Sequence, residues 1–223
     1  MSDLDSLHSK LQGHLDRQSK EWEHFIFSKE DGGFYQGLDE IKITGSRSSE
    51  KRFEEYEILE YLSKDKTVLD IGSNCGFFSI YVSKFVERIF GVEINPYLVA
   101  ISDDVTDFLN IKNANFINSS FEDFRFDEKF DIIFSFANDS TIDGNTKFNF
   151  SEYIEKIVSL LKEDGLLIFE SQAIDSVIPK QLDKKVDYLE KKFTILKRKK
   201  VSSTYPKTID FRDFLILKKS NVT

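Results

Sequence analysis

The segment Val68-Leu69-Asp70-Ile71-Gly72-Ser73-Asn74-Cys75-Gly76-Phe77-Phe78-Ser79 predicts a buried strand ending in an acid, a glycine-containing turn, and an amphipathic segment running to Val86. A strand, a turn without side-chain bulk and a helix N-terminus together bring backbone to a ligand at the carboxyl edge of a sheet. Asp70 narrows the choice of ligand. A dinucleotide site reads Gly-x-Gly-x-x-Gly and receives a pyrophosphate, whereas the spacing here is Asp-x-Gly-x-x-x-Gly. A carboxylate beside a doubly charged phosphate is unfavourable, which disfavours an NAD-dependent oxidoreductase. The turn suits a ligand that is cationic or zwitterionic where it meets the protein.

Outward from this segment the chain alternates strand and helix. Strands are predicted at 67–71, 88–94, 114–117, 130–136 and 165–170, with helices at 77–86, 96–109 and 150–161 between them. Runs such as Asp131-Ile132-Ile133-Phe134 are continuously apolar, as expected when helices cover both faces of a parallel sheet. Pro96 starts one helix, and Gly165 after Asp164 is expected to stop another. A helix near 180–190 precedes two strands, 193–201 and 208–217, whose short connection permits antiparallel pairing. Upstream, Ser48 or Ser49 caps a helix reaching about residue 63, with Phe53, Tyr56, Leu59 and Leu62 on its buried face. Residues 3–29 read as one or two helices outside the sheet, broken at Asp31-Gly32-Gly33, and 41–43 as an extended piece or loop. The domain division is an N-terminal helical cap, 1–40, and a sheet domain, 41–223.

The chain has 223 residues and a formal charge of −8, enough for one core. No apolar run approaches about 18 residues, so no membrane span is expected. The acidic N-terminus has no secretory pattern. The lone Cys75 excludes an internal disulfide and a Cys-rich metal site, which suits a reducing cytoplasm. The acidic balance argues against general nucleic-acid binding. Residues 180–200 nevertheless carry nine Lys/Arg against three Asp/Glu. They read as a solvated helix face and outer strand, or as an anion-attracting rim.

The segment 68–79 resembles the first motif of class I S-adenosylmethionine-dependent methyltransferases, apolar-apolar-Asp-apolar-Gly-x-Gly-x-Gly. Asn74 stands at the usual middle glycine, and Asn is the best non-Gly residue for a positive-φ position. The resemblance implies a seven-stranded, mostly parallel Rossmann-like sheet ending in an antiparallel pair, with S-adenosylmethionine as cofactor. Its turn contacts would come from Asp70, Gly72, Ser73, Asn74 and Gly76. Glu93 ends the second strand, 23 positions past Asp70. An acid at this place can accept hydrogen bonds from ribose hydroxyls, and the resemblance gives Ile94 to the adenine. Ser120 stands where the family has an Asp for the adenine amino group, while the backbone N–H of Phe121 can still meet a ring nitrogen. Ser120 also suits a helix cap. By position Ser135 and Phe136 contact the cofactor, and Asn138 and Asp139 border the acceptor. A basic residue before the first strand can pair with the methionine carboxylate. Arg47 is favoured over Arg52, which can pair with Glu55 or Tyr56.

Methyl transfer is an in-line displacement that depends on alignment and exclusion of water. A hydroxyl acceptor needs a base, for which Asp139 is the first candidate and Glu170 the second. A carboxylate, phosphate or phosphoramidate oxygen already has its electron pair. His8, His14 and His24 read as surface helix residues, with His24 a candidate for a lid. Asp139, Asp143 and Asn145 lack a recognisable metal spacing, so no metal is expected. There is no Asn/Asp-Pro-Pro-Tyr sequence of the kind that marks many methylases of exocyclic amino groups. The N-terminal helices and the closing Phe211–Lys218 strand look most like small bacterial methyltransferases that decorate surface polysaccharides. That ranks a sugar, sugar nucleotide or anionic glycan oxygen first as acceptor. A nucleic-acid base or small-molecule nitrogen comes second, and a non-catalytic binding subunit is the other class of reading.

Overall fold

Each strand of the central sheet forms where the sequence supplies an apolar run closed by a turn. The computed structural model describes residues 3–29, 33–140, 146–203 and 206–220. Its strands are β1 (Thr67–Ile71), β2 (Arg88–Glu93), β3 (Ala114–Asn118), β4 (Phe130–Phe136), β5 (Leu161–Glu170), β6 (Phe193–Ser202) and β7 (Phe211–Lys219). Their order is β3-β2-β1-β4-β5-β7-β6. The first five are mutually parallel, and β7 pairs antiparallel with both β5 and β6. This is the predicted mixed sheet of seven strands.

Helices α1 (Asp3–Glu21), α2 (Ser49–Tyr56), α3 (Phe77–Val82), α4 (Pro96–Phe108), α5 (Phe150–Leu160), α6 (Ala173–Val177) and α7 (Pro179–Leu189) surround it. On one face Tyr153, Ile157, Leu182 and Val186 of α5 and α7 bury Leu69, Ile133 and Leu167. On the other, Phe53, Tyr56, Phe78 and Val82 of α2 and α3 bury Val68, Ile132 and Phe134. Each such side chain contributes about 1.5–3 kcal/mol through area removed from water. No helix among the described residues is long and apolar enough to cross a membrane.

Several local readings change. Among the described residues of the N-terminal segment one α-helix forms, α1, within the one or two expected, but Trp22, Phe25 and Ile26 lie beyond its end. Leu7, Leu11 and Leu15 seat α1 against α3 and α4. His14 is buried there, 2.8 Å from Asp104, and His8 contacts the Ile41 carbonyl at 2.7 Å, so neither is a plain surface residue. His24 lies outside the helix, edge-on to Trp22.

The helix after Ser48 stops at Tyr56 because Glu57 turns left-handed at φ 54°. Leu59 is therefore 54% exposed rather than part of the core. Asp164, not Gly165, takes the positive φ of 60°. β5 already begins at Leu161, which pairs with Phe130; Leu166 then pairs with Ile132 across a bulge. Residues 41–43, read as an extended piece or loop, belong to a loop: a 3-10 turn, Asp39–Ile41, closed by a Leu38–Ile43 bridge. Asp31 and Gly32 of the expected break lie outside the described residues.

Five of the nine basic residues at 180–200 pair with acids from elsewhere, Lys185 among them. Lys199 pairs with Glu57 at 3.0 Å, Lys192 with Glu155 at 2.6 Å and Arg198 with Asp213 at 3.2 Å, while Lys197 also reaches Glu57.

Candidate active site

β1 has β2 on one side and β4 on the other, so the chain leaves its carboxyl end in two directions. That switch point is where open α/β sheets bind ligands. A cavity of about 330 Å³ lies there, the size of a small-molecule site.

The turn after β1 is shaped by three left-handed residues, Gly72 (φ 65°), Asn74 (φ 56°) and Gly76 (φ 69°). Asn74 thus takes the conformation expected of it, aided by its side-chain oxygen, which accepts from Cys75 N at 2.9 Å. Gly72 and Ser73 donate to the Val92 carbonyl at 2.8 and 3.1 Å, tying the turn to β2. A Cβ at Gly72 would sit 2.6 Å from Asn138 Oδ1, because Asn138 folds back to donate to the Ile71 carbonyl. Gly76 caps α3 without a side chain. That task falls to Gln36, forty residues upstream. Its Oε1 accepts from Phe77 N at 2.8 Å and its Nε2 donates to Ser73 O at 3.1 Å.

Glu93 closes the next strand. Its carboxylate accepts from Asn74 N at 3.0 Å and Asn95 N at 2.9 Å, which fixes its plane at the cavity wall. Asp70 accepts from Ser79 Oγ at 2.5 Å. Burial raises its pKa to about 6 against the lowering effects of Ser79 and Arg52. Asp70, Gly72, Asn74, Glu93, Ile94, Ser120, Phe121 and Phe136 all line the cavity. Ser120 also caps its turn, accepting from Asp123 N at 3.1 Å. Burial works against ionisation of Glu122, but Thr146 Oγ1 and the Lys147 and Phe148 N–H groups hold its carboxyl below the usual range.

The expected roles of Arg47, Glu170, Asp139 and Ser135 do not match their places. Arg47 donates to Glu170 at 2.8 Å, inside the protein and outside the cavity wall. Glu170 is fully buried, takes Arg212 Nη1 at 3.0 Å and the Tyr56 hydroxyl as well, and has Arg52 Nη2 at 3.8 Å. A carboxylate held by three guanidinium groups is a poor base. Asp139 is buried against Lys185 at 2.6 Å, and Lys185 also pairs with Asp175 at 2.7 Å. Ser135 bonds the Tyr153 hydroxyl at 2.8 Å and touches the cavity only through it. Ser73 is likewise buried behind the turn, against Gly91. Asp143 and Asn145 lie outside the described residues.

The sequence reading missed Tyr35, Gln36, Tyr153, Gln172 and Arg212, all of which line the cavity, and it ranked Arg52 below Arg47. Arg212, a charge inside the apolar strand Phe211-Arg212-Asp213-Phe214-Leu215, was a legible signal of burial. Gln36 had none.

The sequence profile of a family described as methyltransferase domain matches residues 62–212. The chain belongs to this family. It is an S-adenosylmethionine-dependent methyltransferase. No curated protein matches the chain. Among solved structures, the N-methyltransferase NodS from Bradyrhizobium japonicum WM9 superposes with a TM-score of 0.61 at 14% identity, over 77% of this chain and 96% of that one. NodS has also been solved with S-adenosyl-L-homocysteine; that complex scores 0.61 at 16% identity, covering 77% and 87%. A protein of Listeria monocytogenes assigned to the class I S-adenosylmethionine-dependent methyltransferases scores 0.63 at 16% identity, covering 98% and 69%. The M. jannaschii tRNA m1G37 methyltransferase scores 0.55 at 18% identity, covering 76% and 49%. At these identities the likeness is one of fold.

The methyltransferase's Asp139 offers a direct check on its candidate base. In Asp139→Asn, Lys185 keeps Asp175 as its partner, so the unfolding free energy in urea should change by no more than about 1–2 kcal/mol, below the cost of stranding a buried charge. Methyl transfer should be retained. A loss of about 10²–10⁴-fold, typical of a removed general base, would restore Asp139 to the chemistry.

Proposed function

We propose that the methyltransferase modifies an oxygen of a sugar, sugar nucleotide or anionic glycan substituent. The observation that carries the cofactor half is the meeting of Asp70, Gly72, Asn74, Glu93, Ile94 and Phe121 along one wall at the carboxyl edge of β1 and β2. Glu93 takes the ribose hydroxyls, Ile94 packs on adenine, and the Phe121 N–H meets a ring nitrogen, with Ser120 beside it. Asp70 faces the amino group of the methionine tail, which lies on the Gly72–Asn74 turn, and Phe136 borders the sulfonium. The cofactor supplies an electrophilic methyl carbon when bound. The protein's part is to hold the acceptor in line with that carbon and to keep water out, with Phe25 and Phe27 of the N-terminal segment on the cavity wall. A cytoplasmic setting fits the buried thiol of Cys75.

Oxygen is favoured over nitrogen because Asn138 is turned back onto the Ile71 carbonyl and is followed by Asp139-Ser140 rather than Pro-Pro-Tyr. The second reading, a nucleic-acid base or small-molecule nitrogen, draws on the fold shared with NodS and the tRNA enzyme. It is weakened by the pairing of Lys192, Lys197, Arg198 and Lys199 with acids of this chain.

Thermal unfolding with S-adenosylhomocysteine tests the cofactor site. At 100 times its dissociation constant the ligand should add about 2.7 kcal/mol, and no shift at millimolar concentration would count against the site. The affinity should also depend on pH. Asp70 titrates at about 6 in the free protein, and its ionised form is the one that faces the ligand's ammonium. Binding should be level above pH 6 and weaken by about tenfold per unit below it. Asp70→Asn should remove that dependence.

A further inference from the structure

We infer that the end of the cavity lined by Tyr35, Arg52 and Arg212 is an oxyanion site, and that it takes a carboxylate or phosphoryl group carried by the methyl acceptor. The inference rests on the cofactor placement proposed above.

Charge balance is the first ground. Arg47, Arg52 and Arg212 are all buried and converge on the single carboxylate of Glu170. Asp70 lies within the field of Arg52, and Glu93 and Glu122 also line the cavity, so among the described residues the cations crowd at this one end, around a single carboxylate. A zwitterionic methionine tail adds no net counter-charge there, and the sulfonium adds a positive charge. Buried cations are stabilised by a nearby anion, so an anionic group on a second molecule suits this end of the cavity.

Arg52 is the second ground. It is 6% exposed, and its guanidinium carbon lies over the rings of Phe78 and Phe136, 4.9 and 5.3 Å from their centres. Its Nε donates to the Tyr56 hydroxyl at 3.1 Å, and its ion-pair partner among the described residues, Glu170, is 3.8 Å from Nη2. Among the described residues its two terminal nitrogens donate no hydrogen bond, although they reach the cavity wall. A planar fork in this state matches the two oxygens of a carboxylate or phosphate. Tyr35 reports the same field. Burial opposes ionisation of its hydroxyl, yet the charges of Arg47, Arg212 and Arg52 outweigh that and hold it below the usual phenol range.

The third ground is the fate of the bases. Asp139 and Glu170 are both locked in ion pairs. An oxyanion acceptor needs neither. Its lone pair forms the bond to the methyl carbon, the carbon–sulfur electron pair leaves with sulfur, and the acceptor's negative charge and the sulfonium charge vanish together. No proton moves.

The test uses the full-length protein saturated with S-adenosylhomocysteine and titrated with inorganic phosphate, against sodium chloride at matched ionic strength. Phosphate should raise Tm saturably, by about 5–10 °C at 100 times its dissociation constant. Arg52→Gln should weaken phosphate binding at least tenfold while changing S-adenosylhomocysteine affinity less than threefold. Tyr35→Phe, which deletes one hydroxyl and leaves the ion pairs in place, should weaken phosphate without loss of fold. Phosphate that competes with S-adenosylhomocysteine, or Arg52→Gln that weakens S-adenosylhomocysteine tenfold, would assign the arginines to the methionine carboxylate and overturn the inference. Binding of S-adenosylhomocysteine with no phosphate effect would overturn the inference alone. Failure of S-adenosylhomocysteine to bind would overturn the cofactor placement along with it.

Discussion

Glu170→Gln should lower the unfolding free energy by about 3–5 kcal/mol, the cost of removing one partner from a buried ion pair. Here the partner lost is a carboxylate held by three guanidinium groups, Arg47 at 2.8 Å, Arg212 at 3.0 Å and Arg52 at 3.8 Å. At about 2–4 °C per kcal/mol for a chain of this size, Tm should fall by roughly 6–20 °C. The acid limb of the stability curve gives an independent check. Burial alone would raise the pKa of Glu170, but the three arginines hold it at about 2, against 4.5 for an ordinary Glu. As pH falls, the unfolded chain takes up its proton first. The stabilisation is complete above about pH 4.5 and drains away toward pH 2, amounting to roughly 3 kcal/mol. Glu170→Gln should lack that acid-sensitive component. A variant as stable as the parent that has lost methyl transfer would instead make Glu170 a catalytic residue.

Gly72→Val and Glu93→Ala should each remove cofactor binding from a chain that still folds. At Gly72 the backbone is left-handed, the worst conformation for a β-branched residue, and the new Cβ would meet Asn138 Oδ1 at 2.6 Å. The Asn138 side chain would be driven from the Ile71 carbonyl into the space assigned to the methionine tail. On the proposed placement Glu93→Ala removes two charge-assisted hydrogen bonds to ribose, each about 1.5–3 kcal/mol, so affinity should drop about 10²–10⁴-fold. The same carboxylate orients Asn74 N and Asn95 N, so part of the loss would come from a looser turn. Calorimetric titration with S-adenosylhomocysteine, alongside circular dichroism, separates lost binding from lost fold. Retained affinity in either variant would show that the nucleoside lies elsewhere.

These tests fall on two kinds of residue, which differ in how far the sequence revealed them. Gly72, Asn74 and Glu93 were legible because their roles are local. A strand followed by Asp-x-Gly-x-Asn-x-Gly constrains backbone torsions over seven residues, and an acid closing the next strand falls at the same sheet edge by parallel register. The helix after Ser48 and the turn at Asp164 were misjudged for the converse reason. Apolar spacing shows which residues a helix would bury, but not that Glu57 or Asp164 will accept a left-handed torsion.

What the sequence determined by itself is the alternation of strands and helices, the left-handed corner at Gly72–Gly76 and the acids at the tips of β1 and β2. These depend on neighbours within a few residues, where sterics and periodicity act. Only the tertiary structure decided that Arg47 and Arg212, 123 and 42 positions from Glu170, would both meet it while Arg52 turned toward the cavity. Sheet order sets β7 beside β5 and brings those charges together. Once they are out of water, the match of each charge to its partner, rather than its place in the chain, settles which ones hold the fold and which face the cavity.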